Sequence, residues 1–278
     1  MLLVTDHLLD QLAPIAAMMA MAAATQTLRV GTFVLNNDLR HPSVLAHELA
    51  TLDVLSGGRL EIGIGAGWNK PEYDQIGLPF DPVGTRVDRL TEAVTVLKGM
   101  FADGPFSFQG SHYTLADRDG RPKPARRPHP PIPIGGGGRR ILELAGREAN
   151  IVGLAPHIKG TKGDPLSVTA AATAEKFEWV RQAAGDRFDE LEFNVHPSLT
   201  QPIVTNDARG EAAKLAARLQ DRADFSVDDL LDSPHVFIGS IDGLVEKFQA
   251  LRERFGISSI MVGDIDELAP VVERLAGT

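Results

Sequence analysis

Leu2-Leu3-Val4-Thr5-Asp6-His7 is an apolar run that ends abruptly in polar groups. That order predicts a buried strand whose carboxyl end delivers Asp6 and His7. Six more apolar runs bounded by turn residues read as strands: residues 28–35, 60–65, 132–134, 151–154, 191–195 and 257–262. Helical spacings of three and four lie between them, as in Leu45, Leu49, Leu52 closed by Gly57, or Val87, Leu90, Val94, Leu97, Phe101, or Leu244, Phe248, Leu251, Phe255. Each strand is expected to be followed by a helix. Such alternation, with strands apolar on both faces, means a parallel sheet covered by helices, either closed into a barrel or open and doubly wound. The turn after Val4 decides between them. An open dinucleotide-binding sheet places G-x-G-x-x-G there, whereas this chain has Asp6-His7, and its later glycine runs lack the third glycine in register. The expectation is an α/β fold of the TIM-type (β/α) barrel kind, with seven of the usual eight strands and roughly one βα unit lacking at the amino end.

Residues 1–278 read as a single domain with one insertion at about 105–131. It includes a small hairpin around Phe106 to Leu115 and a basic, proline-rich tail with Arg118, Arg121, Lys123, Arg126 and Arg127. That tail is either a solvated loop or a partner for the anionic end of a cofactor. The chain carries a net charge of -9 and no cysteine. Nucleic acid is therefore an unfavourable partner, disulfides and thiolate metal sites are excluded, and cytoplasm is the default location. The most apolar stretch, residues 12–25, is too short to span a bilayer and contains Pro14, so it reads as a buried helix and no membrane partner is expected. His41 and His47 stand six apart, not at the spacing of a helical metal pair, so no metal site is expected.

The strand ends bring Asp6, His7, Asn36, Asn37, Asp38, Ala66, Gly67, Trp68, Asn69, Gly135 to Gly138, His157, His196 and Asp264 to one face, where barrel enzymes keep their chemistry. His7 is the candidate acid–base group, since imidazole exchanges protons near neutral pH and Asp6 could bias it; the alternative is a strand-end histidine bonded to a nearby carbonyl. Gly135-Gly136-Gly137-Gly138-Arg139-Arg140 follows a strand and opens a helix. Free amides, the helix dipole and Arg139 suit a phosphate; a plain flexible turn is the alternative. Gly63, Gly65 and Gly67 strip side chains from one side of a strand, either to admit a flat ring or to relieve crowding.

Leu3-Val4-Thr5-Asp6-His7, the segment Ala50-Thr51-Leu52-Asp53-Val54-Leu55-Ser56-Gly57-Gly58-Arg59, Gly63 to Trp68, and Ile132-Pro133-Ile134 with its glycines resemble the luciferase-like monooxygenase superfamily, more narrowly its deazaflavin (coenzyme F-420)-dependent branch. The resemblance covers nearly the whole chain. It implies a ring bound near Asp6, His7, Asn36 and Gly65-Ala66-Gly67, with phosphate at Gly135 to Gly138, and a non-proline cis peptide behind the ring at Phe33-Val34. It also implies hydride transfer between the deazaflavin and a small organic substrate, with His7 moving the proton. Relatives that oxidise a sugar phosphate have Glu after the glycine turn; Trp68 stands there, which points to an apolar or aromatic substrate stacking on it. Relatives begin with a strand and helix before the Leu3 strand, so an open sheet edge, and with it poor solubility or oligomerisation, is expected of the chain as written. They often form dimers. Two alternatives remain: an FMN-dependent monooxygenase of the same superfamily, and a truncated, non-catalytic cofactor-binding paralogue. An unrelated phosphate-handling barrel ranks last, because it leaves Asp6-His7 unexplained.

Overall fold

The structure is a computed structural model, and it describes residues 1–160, 162–263 and 265–276. Asp264 lies outside the described residues. The chain divides into two compact units, Met1–Gly135 with Glu148–Asn150, and Gly136–Arg147 with Ile151–Thr278.

In the first unit, strands Leu2–Val4, Val30–Thr32 and Leu60–Glu61 pair in parallel in that order. Leu35–Asn36, Ile64–Gly65 and Pro133–Gly136 form a second parallel ladder, with Leu35 opposite Ile64 and Ile64 opposite Ile134. Two of the long runs read from the sequence therefore each break in the middle. The first breaks at Phe33-Val34, whose peptide bond is cis, as the resemblance implied. The second breaks between Glu61 and Ile64, where Leu35 N donates to Gly63 O at 2.8 Å and Thr32 Oγ1 donates to the same carbonyl at 2.7 Å. A Cβ on Gly63 would lie 2.0 Å from Thr32 O, so only glycine permits this approach.

The helices form where the spacing predicts them. Pro42–Ser56 starts with His41 Nδ1 accepting from Ser43 N and Pro42 in its first turn, and it buries Leu45, Leu49 and Leu52. It stops at Gly57 and Gly58, both in the left-handed region, with Gly58 N donating to Asp53 O. Arg59 then reaches back: its Nε donates to Ser56 O, Nη1 to Leu28 O and Nη2 to Ala22 O, all within 2.8 Å. The Ser56-Gly57-Gly58-Arg59 segment is thus a helix stop followed by a clamp across three segments. Val83–Phe101 buries Val87, Leu90, Val94, Leu97 and Phe101. Helix Pro14–Ala24 buries Pro14, Ala17, Met18 and Ala22 and leaves the rest more open, so it is half-buried where full burial was expected.

The expected hairpin is present, Pro105–Gln109 running antiparallel to Thr114–Asp119. Its turn is held by Glu92, whose carboxylate accepts from the amides of Ser111, His112 and Tyr113 at 2.7, 2.9 and 3.0 Å. Burial works against ionisation there, but these three amides hold the Glu92 carboxyl below the usual carboxylate range. Three of the basic tail's cations are paired locally, Arg121 and Lys123 with Asp119 and Arg127 with Asp103.

In the second unit, Ile151–Leu154, Glu192–Val195 and Ile257–Ile260 pair in parallel, with Val195 opposite both Leu154 and Ile260. Helices Arg139–Glu148, Ala170–Ala184, Ala208–Leu219, Val227–Asp232, Ile241–Phe255 and Ile265–Leu275 accompany them. Two elements depart from the strand-then-helix expectation. Ile151–Leu154 is followed by the short antiparallel pair Ile158–Lys159 and Lys162–Gly163. Glu192–Val195 is followed by a two-residue strand, Ile203–Val204, parallel to Ile238–Gly239. Two residues are too few to show alternation, so this pair was not legible. Behind it lies a compact apolar cluster of Ala212, Leu215, Leu219, Phe225, Leu230, Val236 and Ile238. Each large aliphatic side chain buried this way contributes about 1.5–3 kcal/mol relative to exposure. Among the described residues, no helix is long and apolar enough to cross a membrane.

Candidate active site

His7 stands three residues beyond the end of strand Leu2–Val4, after Thr5 and Asp6, and its side chain keeps 26% of its surface exposed. Its Nδ1 lies 2.8 Å from Glu72 Oε1. Glu72 is buried and comes from the short helix Lys70–Ile76, which has Pro71 in its first turn and Gly77 as its left-handed stop. Trp68 stands edge-on to the His7 ring, with centroids 5.7 Å apart and planes at 81°. Its indole is exposed, an apolar wall beside the imidazole.

The Asp6 carboxylate, expected from the sequence beside His7, is hydrogen-bonded elsewhere. It accepts from Asn36 N at 2.9 Å and from Arg40 Nη1 and Nη2 at 2.6 and 3.2 Å. It is an anchor between the first strand's end and the Asn36 turn, and the carboxylate on His7 is Glu72. Beneath it Tyr73 Oη sits 3.0 Å from both Asn36 Oδ1 and Asp38 Oδ2. Burial pushes the Tyr73 hydroxyl up, with the Asp38 charge adding to it. Burial raises Asp38 as well, partly offset by Arg89 and by the Tyr73 hydrogen bond. The site thus rests on a polar network that orders Asn36 and the helix carrying Glu72.

The glycine strip has a packing explanation. A Cβ on Gly65 would meet Val34 Cγ2 at 2.8 Å, and one on Gly67 would lie 2.0 Å from Tyr73 Oη and 2.6 Å from Asn36 Oδ1. Gly67 also has φ +72°. The chain's own atoms occupy the space those side chains would take, so crowding relief accounts for the strip, and Ala66 is buried in the same turn.

In the second unit, a Cβ on Gly136 would meet Ile141 at 2.3 Å and one on Gly137 would meet the Pro156 backbone at 2.3 Å, while Gly138 has ordinary room beside His157. Gly136 and Gly137 therefore let this turn pack on its neighbours before helix Arg139–Glu148. Arg139 is exposed and its Nε donates to Glu143 at 2.8 Å, so this counter-charge already has an acidic neighbour. Lys176 Nζ donates to Ala155 O and Ser167 O at 2.6 and 2.7 Å, and burial lowers it to about 8. His196 is lowered to about 4 by burial and the Lys176 charge. His235 Nδ1 lies 3.1 Å from His196 O, and burial, then His196 and Lys176, bring it to about 3.

Glu72, Arg40, Tyr73 and Lys176 were missed from sequence. A usable signal existed for Glu72 alone: Asn69-Lys70-Pro71-Glu72 has the proline and the acid of a helix's first turn, right after the Gly67-Trp68 turn.

With this geometry in hand, likeness to known proteins is informative. Residues 1–162 match the family model described as luciferase-like monooxygenase. The chain belongs to the luciferase-like monooxygenase family. An FMNH(2)-dependent dimethylsulfone monooxygenase of Pseudomonas putida is 38% identical over 128 residues, 46% of this chain and 35% of that protein. An F420-dependent glucose-6-phosphate dehydrogenase of Microbacterium testaceum is 34% identical over 131 residues, 47% of this chain and 38% of that protein. The matched stretch thus spans little more than a third of either relative. Among solved structures, an F420-dependent secondary alcohol dehydrogenase in complex with an F420-acetone adduct superposes with TM-score 0.72 at 19% identity, covering 98% of this chain and 88% of that one. The likeness shows a shared α/β fold. Luciferase-like relatives on both sides of the coenzyme divide are therefore similar to this chain.

Proposed function

We propose that this luciferase-like chain is an oxidoreductase acting on a small organic substrate with a deazaflavin coenzyme, His7 moving the proton. The observation that carries the reading is His7 itself: a partly exposed imidazole at a strand end, flanked by the exposed indole of Trp68 and backed by a buried carboxylate. On the family resemblance, a flat heterocycle would lie beside His7 with Asp6, Asn36, Gly65, Ala66, Gly67 and the Phe33-Val34 segment as its neighbours. When bound, a deazaflavin supplies a two-electron hydride acceptor or donor. In the oxidising direction His7 would accept the proton that the substrate gives up as its hydride leaves, so that two electrons and two hydrogens are accounted for. Trp68 offers an apolar face for the substrate. Separately, the start of helix Arg139–Glu148 after Gly138 would be the place for a phosphate, with Arg139 free to exchange Glu143 for it.

A second reading, an FMN-dependent monooxygenase, is favoured by the dimethylsulfone monooxygenase relative. Equilibrium binding of deazaflavin and of FMN, followed by quenching of their fluorescence, separates the two. Binding of deazaflavin but not FMN, retained without turnover by His7→Ala, is the expected result. Binding of FMN alone favours the second reading, and binding of neither refutes both.

A further inference from the structure

We propose that Glu72 is the positioning residue of the proton-handling group, fixing His7 with hydrogen on Nδ1 and leaving Nε2 to exchange the proton; this rests on the reading of His7 above. A carboxylate in its ionised form can only accept, so the tautomer that makes the 2.8 Å contact between His7 Nδ1 and Glu72 Oε1 a hydrogen bond is the one with hydrogen on Nδ1. The opposite nitrogen is then the basic one. When Nε2 takes a proton, the ring becomes a cation with a carboxylate already in contact with its other nitrogen, so the charge forms where its counter-charge is fixed. Glu72 itself does not touch the transferred proton.

Three features hold this carboxylate in place. Glu72 is 3% exposed, so its side chain has little room for other rotamers. Its amide donates to Asn69 O at 3.1 Å, and its neighbour Tyr73 is tied to Asn36 and Asp38. Trp68 meets the imidazole edge-on, which restrains the ring's plane. The other nearby acid, Asp6, is engaged by Arg40 and the Asn36 amide.

The test is nitrogen-15 NMR of the full chain without coenzyme, the His7 resonances being assigned by their loss in His7→Ala. At a pH high enough that the ring is neutral, wild type is expected to show hydrogen on Nδ1 and a lone pair on Nε2. Glu72→Leu, which removes the acceptor, is expected to return His7 to the usual preference for hydrogen on Nε2. Should Glu72→Leu not fold, Glu72→Gln keeps the size, and its amide, able to donate or accept, is expected to give a mixture of tautomers. Hydrogen on Nε2 in wild type, or the wild-type spectrum in the folded variants, overturns the proposal. Failure of the wild-type chain to bind either coenzyme would overturn the functional reading instead and leave the tautomer result standing.

Discussion

Replacing Asp6 by alanine takes away one carboxylate that three donors share. The Asn36 amide and both terminal nitrogens of Arg40 converge on it, and the carboxylate is almost wholly buried. Removing one side of a buried ion pair costs about 3–5 kcal/mol, since the remaining charge is left without compensation. Arg40 retains 23% side-chain exposure, so water can reach its guanidinium and the pair term belongs near or below the lower bound. The unpaired Asn36 amide adds roughly 1–3 kcal/mol. Asp6→Ala is therefore expected to lose about 3–4 kcal/mol of unfolding free energy, with overlap between the two contributions already discounted. Urea unfolding followed by tryptophan fluorescence reads this as a lower midpoint at unchanged slope. Adding Arg40→Met should recover part of the loss by removing the orphaned charge. A loss below about 1 kcal/mol, or no recovery in the double variant, would refute the anchor role and reopen a direct partnership of Asp6 with His7.

Further outcomes follow from the same structure. With Lys176 held at about 8 by burial, the unfolded chain binds more protons than the native one from there up to the ordinary lysine range, so stability rises with pH across that window. Lys176→Met should abolish that rise, which amounts to on the order of 2–3 kcal/mol, in denaturation series at pH values of about 7 to 10.5. His235, held at about 3, stays neutral in the native state while the unfolded chain protonates it, so stability falls as pH drops below the ordinary imidazole range. His235→Asn should lose less stability than wild type between pH values of about 6.5 and 4.5, by roughly 2 kcal/mol in the same assay. Gly67→Ala forces a side chain into the left-handed region and against Tyr73 Oη, and is expected to cost at least about 2 kcal/mol in thermal unfolding.

The α/β class was legible because apolar periodicity reports which faces are buried, and Leu45, Leu49, Leu52 or Val87, Leu90, Val94 are in the core as their spacing implied. The breaks within the runs 28–35 and 60–65 were less so. Composition there is continuously apolar and small, and the second interruption sits where Gly63 meets Thr32, a property of pairing between distant segments. The site was legible where residues follow a strand end, as with His7 and Trp68. It was opaque where a partner comes from elsewhere: Glu72 lies 65 positions from His7, and Arg40 lies 34 from Asp6. Adjacency suggested Asp6 as the neighbour of His7, yet the Asp6 carboxylate is taken by Arg40 and the Asn36 amide.

Glu92 gives the hairpin turn an unusual dynamic character. Ser111 and His112 are exposed to solvent, yet their amides and that of Tyr113 end on one carboxylate carried by the helix Val83–Phe101. A surface loop of this kind ordinarily exchanges its amide hydrogens quickly. Here the loop tip is riveted to a long helix, so it should keep its deuterium clock in step with that helix, and any breathing at this edge of the molecule would involve hairpin and helix together.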